Sequence, residues 1–166
     1  MKYCPQCAKP LQEMTVDSMT RTGCADETCG YVLWNNPTPV VAAIVETEGG
    51  VVLAHNVAWP KSFYSIITGF LENGEDPLEC VIRETREELG LQARTSSLIG
   101  AYGFAQQNQV IIAYHIGAEC SVSLNHELDD YKLVPPAELK SWNKGTGLAI
   151  KDWQRQQGYQ PIVMEF

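Results

Sequence analysis

From residue 40 onward the apolar positions fall in short β-branched runs separated by turn residues. "VVAAIVETEGGVVLAHN", residues 40 to 56, holds two such runs around a Gly49-Gly50 turn signal and predicts a β-hairpin. "FYSIITG" at 63 to 69 predicts a further short strand. "LQARTSSLIGAYGF" and "NQVIIAYHIGAE" predict two more, the second apolar enough for the centre of a sheet. Between them the period changes to that of a helix. Asp76 can cap it, Pro77 suits its first turn, Glu79 completes a capping-box pattern, and Gly90 is a natural C′ residue, so the spacing predicts a helix over 77–89. At about 100° per residue, Leu78, Val81, Ile82, Thr85 and Leu89 share the face turned to the core. "PPAELKSW" and "TGLAIKDWQRQQ" also have helical spacing. Strands and helices mix without a βαβ repeat, which predicts an α+β domain.

Residues 1–36 have a different character, rich in Cys, Thr, Gly and Gln and too few to bury a core without a staple. "NNPTP", residues 35 to 39, reads as a turn or short linker. Two domains are therefore expected, 1–36 and 37–166. Lys and Arg number 12 against 20 Asp and Glu, a net charge of −8. That balance repels nucleic acid and anionic membranes over most of the surface, so a polyanionic substrate needs a local source of positive charge. The start shows no apolar run of signal-peptide length and no stretch approaches about eighteen apolar residues, so a soluble cytoplasmic protein with no membrane partner is expected.

The charge is not spread evenly. "RETREELG" seats Glu84, Glu87 and Glu88 at i, i+3 and i+4 on one arc of the predicted helix. Like charges at that spacing cost a few tenths of a kcal/mol per pair. Mg²⁺ and similar hard cations prefer oxygen ligands and would relieve the repulsion, with Arg83 in reach of Glu79 or Glu87 as an orienting partner. A solvated charged face is the other reading of the same run.

The full pattern is Gly69, five residues, Glu75, seven residues, Arg83-Glu84, two residues, Glu87-Glu88, one residue, Gly90. It resembles the signature of the Nudix hydrolases at all seven fixed positions. At roughly one in fifteen per position, chance would produce it about once in 10⁸ windows. Thr85 departs from the aliphatic residue usual in the family. The resemblance implies hydrolysis of a nucleoside diphosphate linked to another moiety, in an αβα sandwich around a mixed sheet. It also implies that Glu84, Glu87 and Glu88, with the Gly69 carbonyl, bind Mg²⁺ or Mn²⁺. Arg83 would orient the glutamates and act with them as the catalytic group. Glu75 would support the loop or a second metal. Bound metal would neutralise the diphosphate and lower the pKa of a water; the base is Glu88 or Glu87. In "ELDDYKLVPPAEL" Glu127 would be a further metal ligand or base, or a surface glutamate in a polar loop.

Cys4 and Cys7 in "CPQC" and Cys24 and Cys29 around "ADET" suit a tetrahedral structural Zn²⁺, with unligated thiols or a disulfide as the alternatives. A zinc ribbon before a Nudix domain resembles the NADH pyrophosphatase branch. Where that branch carries "SQPWPFP" this chain reads "GAYGFAQQNQV", so the resemblance extends equally to relatives acting on ADP-ribose or FAD. Phe63, Tyr64, Phe70, Tyr102 and Phe104 flank the expected cleft as candidates to stack on adenine. Trp59 and Trp34 are candidate dimer contacts. Cys80, Cys120, His55, His115 and His126 read as structural. The expected activity is cleavage of ADP-ribose, NADH or FAD to AMP and a phosphorylated product. Two rivals stand beside it: a non-catalytic nucleotide sensor, and an enzyme acting on capped RNA ends. The ribbon has Lys2, Lys9 and Arg21 against Glu13, Asp17, Asp26 and Glu27, a poor phosphate-binding surface.

Overall fold

A computed structural model describes residues 1–119 and 121–165, and the chain forms two compact units, Met1–Asn36 and Pro37–Phe166. Cys120, expected to be a packed thiol, lies outside the described residues.

The first unit is an antiparallel sheet of β1 (Leu11–Val16), β2 (Met19–Cys24) and β3 (Val32–Leu33). Asp17 and Ser18 join β1 to β2 with φ of 50° and 63°, the left-handed pair that a two-residue hairpin turn needs. Only Cys4, Gly23 and Cys24 are buried in this unit, so hydrophobic burial contributes little to holding it together.

The second unit is built on β4 (Thr38–Thr47), β5 (Gly50–Asn56), β6 (Ile67–Phe70), β7 (Ala93–Phe104), β8 (Gln109–Ala118) and β9 (Leu128–Val134). The sheet order is β7-β8-β4-β5-β9, with β6 also on β4; β4 and β8 run parallel and the other neighbours antiparallel. Helix α1 (Pro77–Leu89) covers one face and α2 (Thr146–Gln156) the other. The side-chain alternation of β4 explains its unbroken apolar run: Val41, Ala43 and Val45 pack on the α1 side, Ala42 and Ile44 on the α2 side. This is the αβα sandwich expected from the motif. A two-stranded parallel pair, β10 (Lys140–Ser141) with β11 (Ile162–Val163), completes the unit. No helix among the described residues is long and apolar enough to cross a membrane.

One feature of the sheet prepares the site. The edge of β4 opposite β8 is shared: Val40–Ala43 pair with β6, while Glu46 and Thr47 pair with β5. The sheet therefore forks, and residues 57–66 pass from β5 to β6 beside the fork. A bridge between Ala54 and Ser65 ties the base of that connection.

Three expectations need correction. "PPAELKSW" is one 3₁₀ turn, Pro136–Glu138, followed by β10, because Leu139 is drawn into the α2-side core and Ser141 into pairing with β11. On α1, Cys80 is fully buried and Ile82 is 37% exposed. Residues two apart lie about 200° apart on a helix and cannot both face inward. The Cys80 thiol donates to the Phe70 carbonyl at 3.4 Å, which turns Ile82 to solvent. The hairpin turn is centred on Glu48 and Gly49, one residue earlier than expected; Gly50, at φ 121°, already pairs with Thr47.

Candidate active site

The site starts from a strand, a loop and a helix. Asp76 caps α1 by accepting from the Leu78 backbone N–H at 2.8 Å, and Gly90 ends it at φ 67° with its N–H on the Arg86 carbonyl. Both ends of the helix are thus set by the residues the spacing singled out. Arg83 links the helix back to the loop. Its guanidinium donates to both oxygens of Glu75, at 2.7 and 3.0 Å, to Glu84 Oε1 at 2.8 Å, to Glu87 Oε2 at 3.0 Å and to the Phe70 carbonyl at 3.3 Å. Glu79, an expected partner, makes none of these bonds; the loop carries Glu75 into the position instead. The Arg83 guanidinium holds the Glu75 carboxyl down at about 2.

Beside this network β6 passes very close to α1. A Cβ built on Gly69 would lie 2.1 Å from Glu84 Cδ and 2.2 Å from its Oε1, so no side chain fits at position 69 while Glu84 keeps its place. Gly69 and Glu84 are therefore brought together as expected. Glu88 and Glu127 line a common cavity of about 90 Å³ with Asn56, Trp59, Ser65 and Thr68. Burial, then the charges of Glu84, Glu127 and Glu87, push the Glu88 carboxyl up to about 8. Burial likewise raises Glu84, against the pull of Arg83. Glu87 lines neither this cavity nor the larger one beside it, and its side chain is 51% exposed. The carboxylates do not converge further: among the described residues only the cysteine quartet brings three or more such ligand atoms within 4.8 Å of one another. Arg83 draws Glu84 and Glu87 toward itself, and mutual repulsion keeps the rest apart. The donor set of carboxylates beside a glycine backbone fits a hard divalent cation such as Mg²⁺ or Mn²⁺.

Next to the acidic cavity lies a larger one of about 480 Å³. Trp59, Phe63, Phe70, Phe104 and Trp142 form its aromatic walls, and Lys144 supplies a cation. It shares Trp59, Ser65 and Thr68 with the acidic cavity and includes Gly69. Phe63 stands edge-on to Trp59 with centroids 5.0 Å apart. Phe63, Phe70 and Phe104 were legible as cleft aromatics. Tyr64 and Tyr102 line neither cavity; their hydroxyls bond Asp130 and Asp152. Trp59, a candidate dimer contact from sequence, lines both cavities, and Trp34 stacks under Arg21 at 4.8 Å. Trp142 and Lys144 were missed: Trp142 ends the segment whose spacing suggested a helix, and Lys144 lies two residues beyond it.

In the first unit the thiols of Cys4 and Cys29 lie 3.7 Å apart and those of Cys7 and Cys24 3.4 Å apart, with all four within 4.8 Å of one another. A tetrahedron of sulfurs about 2.3 Å from Zn²⁺ has edges of about 3.8 Å, so the quartet fits that ion. Of the three histidines read as structural, His55 bonds Asp129 and His115 bonds Glu46 at 2.8 Å.

The NUDIX domain family profile matches residues 36–153, and the chain belongs to that family. It is 33% identical over 76 residues to the NAD-capped RNA hydrolase NudC of Mycobacterium tuberculosis, covering 46% of this chain and 24% of that protein. With NudC of Pseudomonas aeruginosa it shares 25% identity over 114 residues, 69% of this chain and 40% of that one. The chain thus matches well under half the length of these curated relatives. Among solved structures, a NUDIX hydrolase from Nitrosomonas europaea shares the fold over 99% of both chains, with a TM-score of 0.76 and 22% identity. A MutT protein from Methanosarcina mazei shares it over 76% of this chain and 98% of its own, with a TM-score of 0.58 and 18% identity.

Two predictions follow from this geometry. Metal analysis of the purified protein should find one zinc per chain, reduced in Cys7→Ser; a zinc-free wild-type protein would contradict the assignment. The second concerns pH. With Glu88 raised from 4.5 to about 8, the folded metal-free protein keeps a proton that the unfolded chain has released. That contribution to stability is complete below about 4.5 and is lost as pH rises through about 8. Between pH 5 and 8.5 the melting temperature of the metal-free wild type should therefore fall more steeply than that of Glu88→Gln. Equal slopes would contradict the electrostatic reading. Glu75, held low, titrates below this range and does not interfere.

Proposed function

We infer that the chain is a metal-dependent pyrophosphohydrolase that cleaves the diphosphate of a dinucleotide-like substrate such as ADP-ribose, NADH or FAD, releasing AMP and the other phosphorylated half. One observation carries the reading: the acidic cavity of Glu88 and Glu127 opens beside an aromatic cavity of about 480 Å³, and the two share Trp59, Ser65 and Thr68. A diphosphate over the carboxylates would then have one ring of its nucleotide halves against Trp59, Phe63 or Trp142, with Lys144 available to an outlying phosphate.

Glu84, Glu87, Glu88 and Glu127, with Gly69, would hold Mg²⁺ or Mn²⁺. The metal would offset the phosphate charge and lower the pKa of a water to be used as nucleophile. Arg83 would keep Glu84 and Glu87 oriented through the bonds it makes to both. Glu88 lines the acidic cavity with Glu127 whereas the Glu87 side chain is half exposed, which favours Glu88 over Glu87 as the base. The cysteine quartet would hold a structural zinc.

The NudC relatives favour a second reading, in which the diphosphate cut is that of a dinucleotide cap on RNA. The −8 net charge and the few basic residues of the first unit weigh against a long RNA contact. A nucleotide sensor without turnover is the weakest reading, since every carboxylate of the motif is present.

AMP release should be measured with Mg²⁺ or Mn²⁺ on ADP-ribose, NADH, NAD, FAD, nucleoside triphosphates and NAD-capped RNA. Turnover of one free dinucleotide is expected, with a loss of about 10²-fold or more in a folded Glu87→Gln protein. Preference for the capped RNA would move the second reading ahead, and binding without turnover on the whole panel would favour the sensor.

A further inference from the structure

The chain between β5 and β6 lines both cavities through Trp59 and Ser65, and the aromatic one also through Phe63. Its base is tied by the paired Ala54 and Ser65 backbone bonds of 2.9 and 3.0 Å. Local turns within it run from Trp59 N–H to Asn56 and from Phe63 N–H to Pro60. Lys61 is its only charged side chain. Its middle is held from beneath by His55, which is 5% exposed. His55 Nδ1 meets Asp129 Oδ1 on β9 at 2.5 Å, and Nε2 meets the Pro60 carbonyl at 3.2 Å.

Both ring nitrogens therefore face acceptors. A neutral imidazole has one N–H and can satisfy only one of them; an imidazolium satisfies both. The other charged and titratable groups around the ring come from β9 and from the connection itself. The Tyr64 ring lies 5.4 Å from the imidazole, its hydroxyl donates to Asp130 at 2.5 Å, and Lys132 Nζ sits 3.6 Å from the Tyr64 ring centre. Two carboxylates, Asp129 and Asp130, thus outweigh one ammonium. The bond to Asp129 raises the His55 pKa above its ordinary value, against the opposing effect of burial.

We propose that His55 is a positioning residue: as an imidazolium strapped between Asp129 and the Pro60 carbonyl, it holds residues 57–64 so that Trp59 and Phe63 stand ready against the nucleotide ring. His55 lines neither cavity, so it acts through the loop. The proposal rests on the nucleotide-binding reading of the aromatic cavity given above. As pH rises and the ring loses a proton, the longer Pro60 contact is the one released, and the wall loosens.

Adenosine is the probe, because it carries no phosphate that titrates and needs no metal. Its affinity should be measured at pH 6 and 8.5 in wild type, His55→Ala, His55→Gln and Trp59→Ala, with amide hydrogen exchange followed over residues 57–64. In His55→Ala, exchange in 57–64 should accelerate while β4 and β8 stay protected, and adenosine should bind about tenfold more weakly at pH 6. His55→Gln, which keeps one side-chain N–H for the Pro60 carbonyl, should recover part of both effects. The wild-type affinity should drop between pH 6 and 8.5, and that drop should vanish in both His55 variants. Weaker binding in Trp59→Ala with unchanged binding in His55→Ala would overturn the strap alone. Unchanged exchange in 57–64 of His55→Ala would do the same. No weakening in Trp59→Ala would overturn the reading of the aromatic cavity and the strap with it.

Discussion

The site depends on the close approach of β6 to α1 at Gly69 and Glu84. A Cβ at position 69 would overlap the Glu84 carboxyl, so the strand can lie against the acidic face of the helix only because that residue has no side chain. The approach is held in turn by Arg83, which from the helix side binds Phe70 at the end of the strand and Glu75 in the loop that follows. One guanidinium thus ties strand, loop and helix while offsetting part of the charge of three carboxylates. It cannot offset all of it. Glu88 lies outside its reach, among Glu84, Glu87 and Glu127, and the energetic cost appears as a carboxyl pushed up to about 8. A cluster that is repulsive by itself and open to a cavity is suited to a cation.

The fork in the sheet adds the second half of the site. Because β4 pairs with β6 at one end and β5 at the other, the connection between β5 and β6 must pass beside the opening, and it brings Trp59 and Phe63 with it. The acidic and aromatic cavities are therefore neighbours as a consequence of strand pairing. A fold that covers both faces of the sheet with helices leaves this end as the place where a ligand can enter.

Much of this was legible in the sequence, and for a physical reason. Helix α1 carries its start and stop in Asp76, Pro77 and Gly90, local signals that need no tertiary knowledge. The β-branched runs pointed to an α+β domain, and the motif from Gly69 to Gly90 pointed to the acidic face and, through the family it resembles, to the layers. What was hidden depends on long-range placement. Cys80 rather than Ile82 faces the core because the Phe70 carbonyl takes its thiol, which periodicity alone does not show. The "PPAELKSW" segment has helical spacing but is drawn out by Leu139 and Ser141, whose partners lie in α2 and near the chain's end. Trp142 and Lys144 reach the cavity from the end of that segment and just beyond it, far in sequence from the carboxylates, so no spacing rule connects them. Trp59 gave no signal beyond being a large aromatic in a turn-rich stretch.

The central claim is that the acidic face of α1 is a seat for a divalent cation. Titration with Mn²⁺ at pH 7.5, following the EPR signal of the free ion, tests it in the wild type and in Glu84→Gln, with the cysteine-bound zinc measured in parallel. The account predicts saturable binding in the wild type, weakened about tenfold or more in Glu84→Gln while the zinc content stays the same. Equal Mn²⁺ binding by the two folded proteins would contradict it.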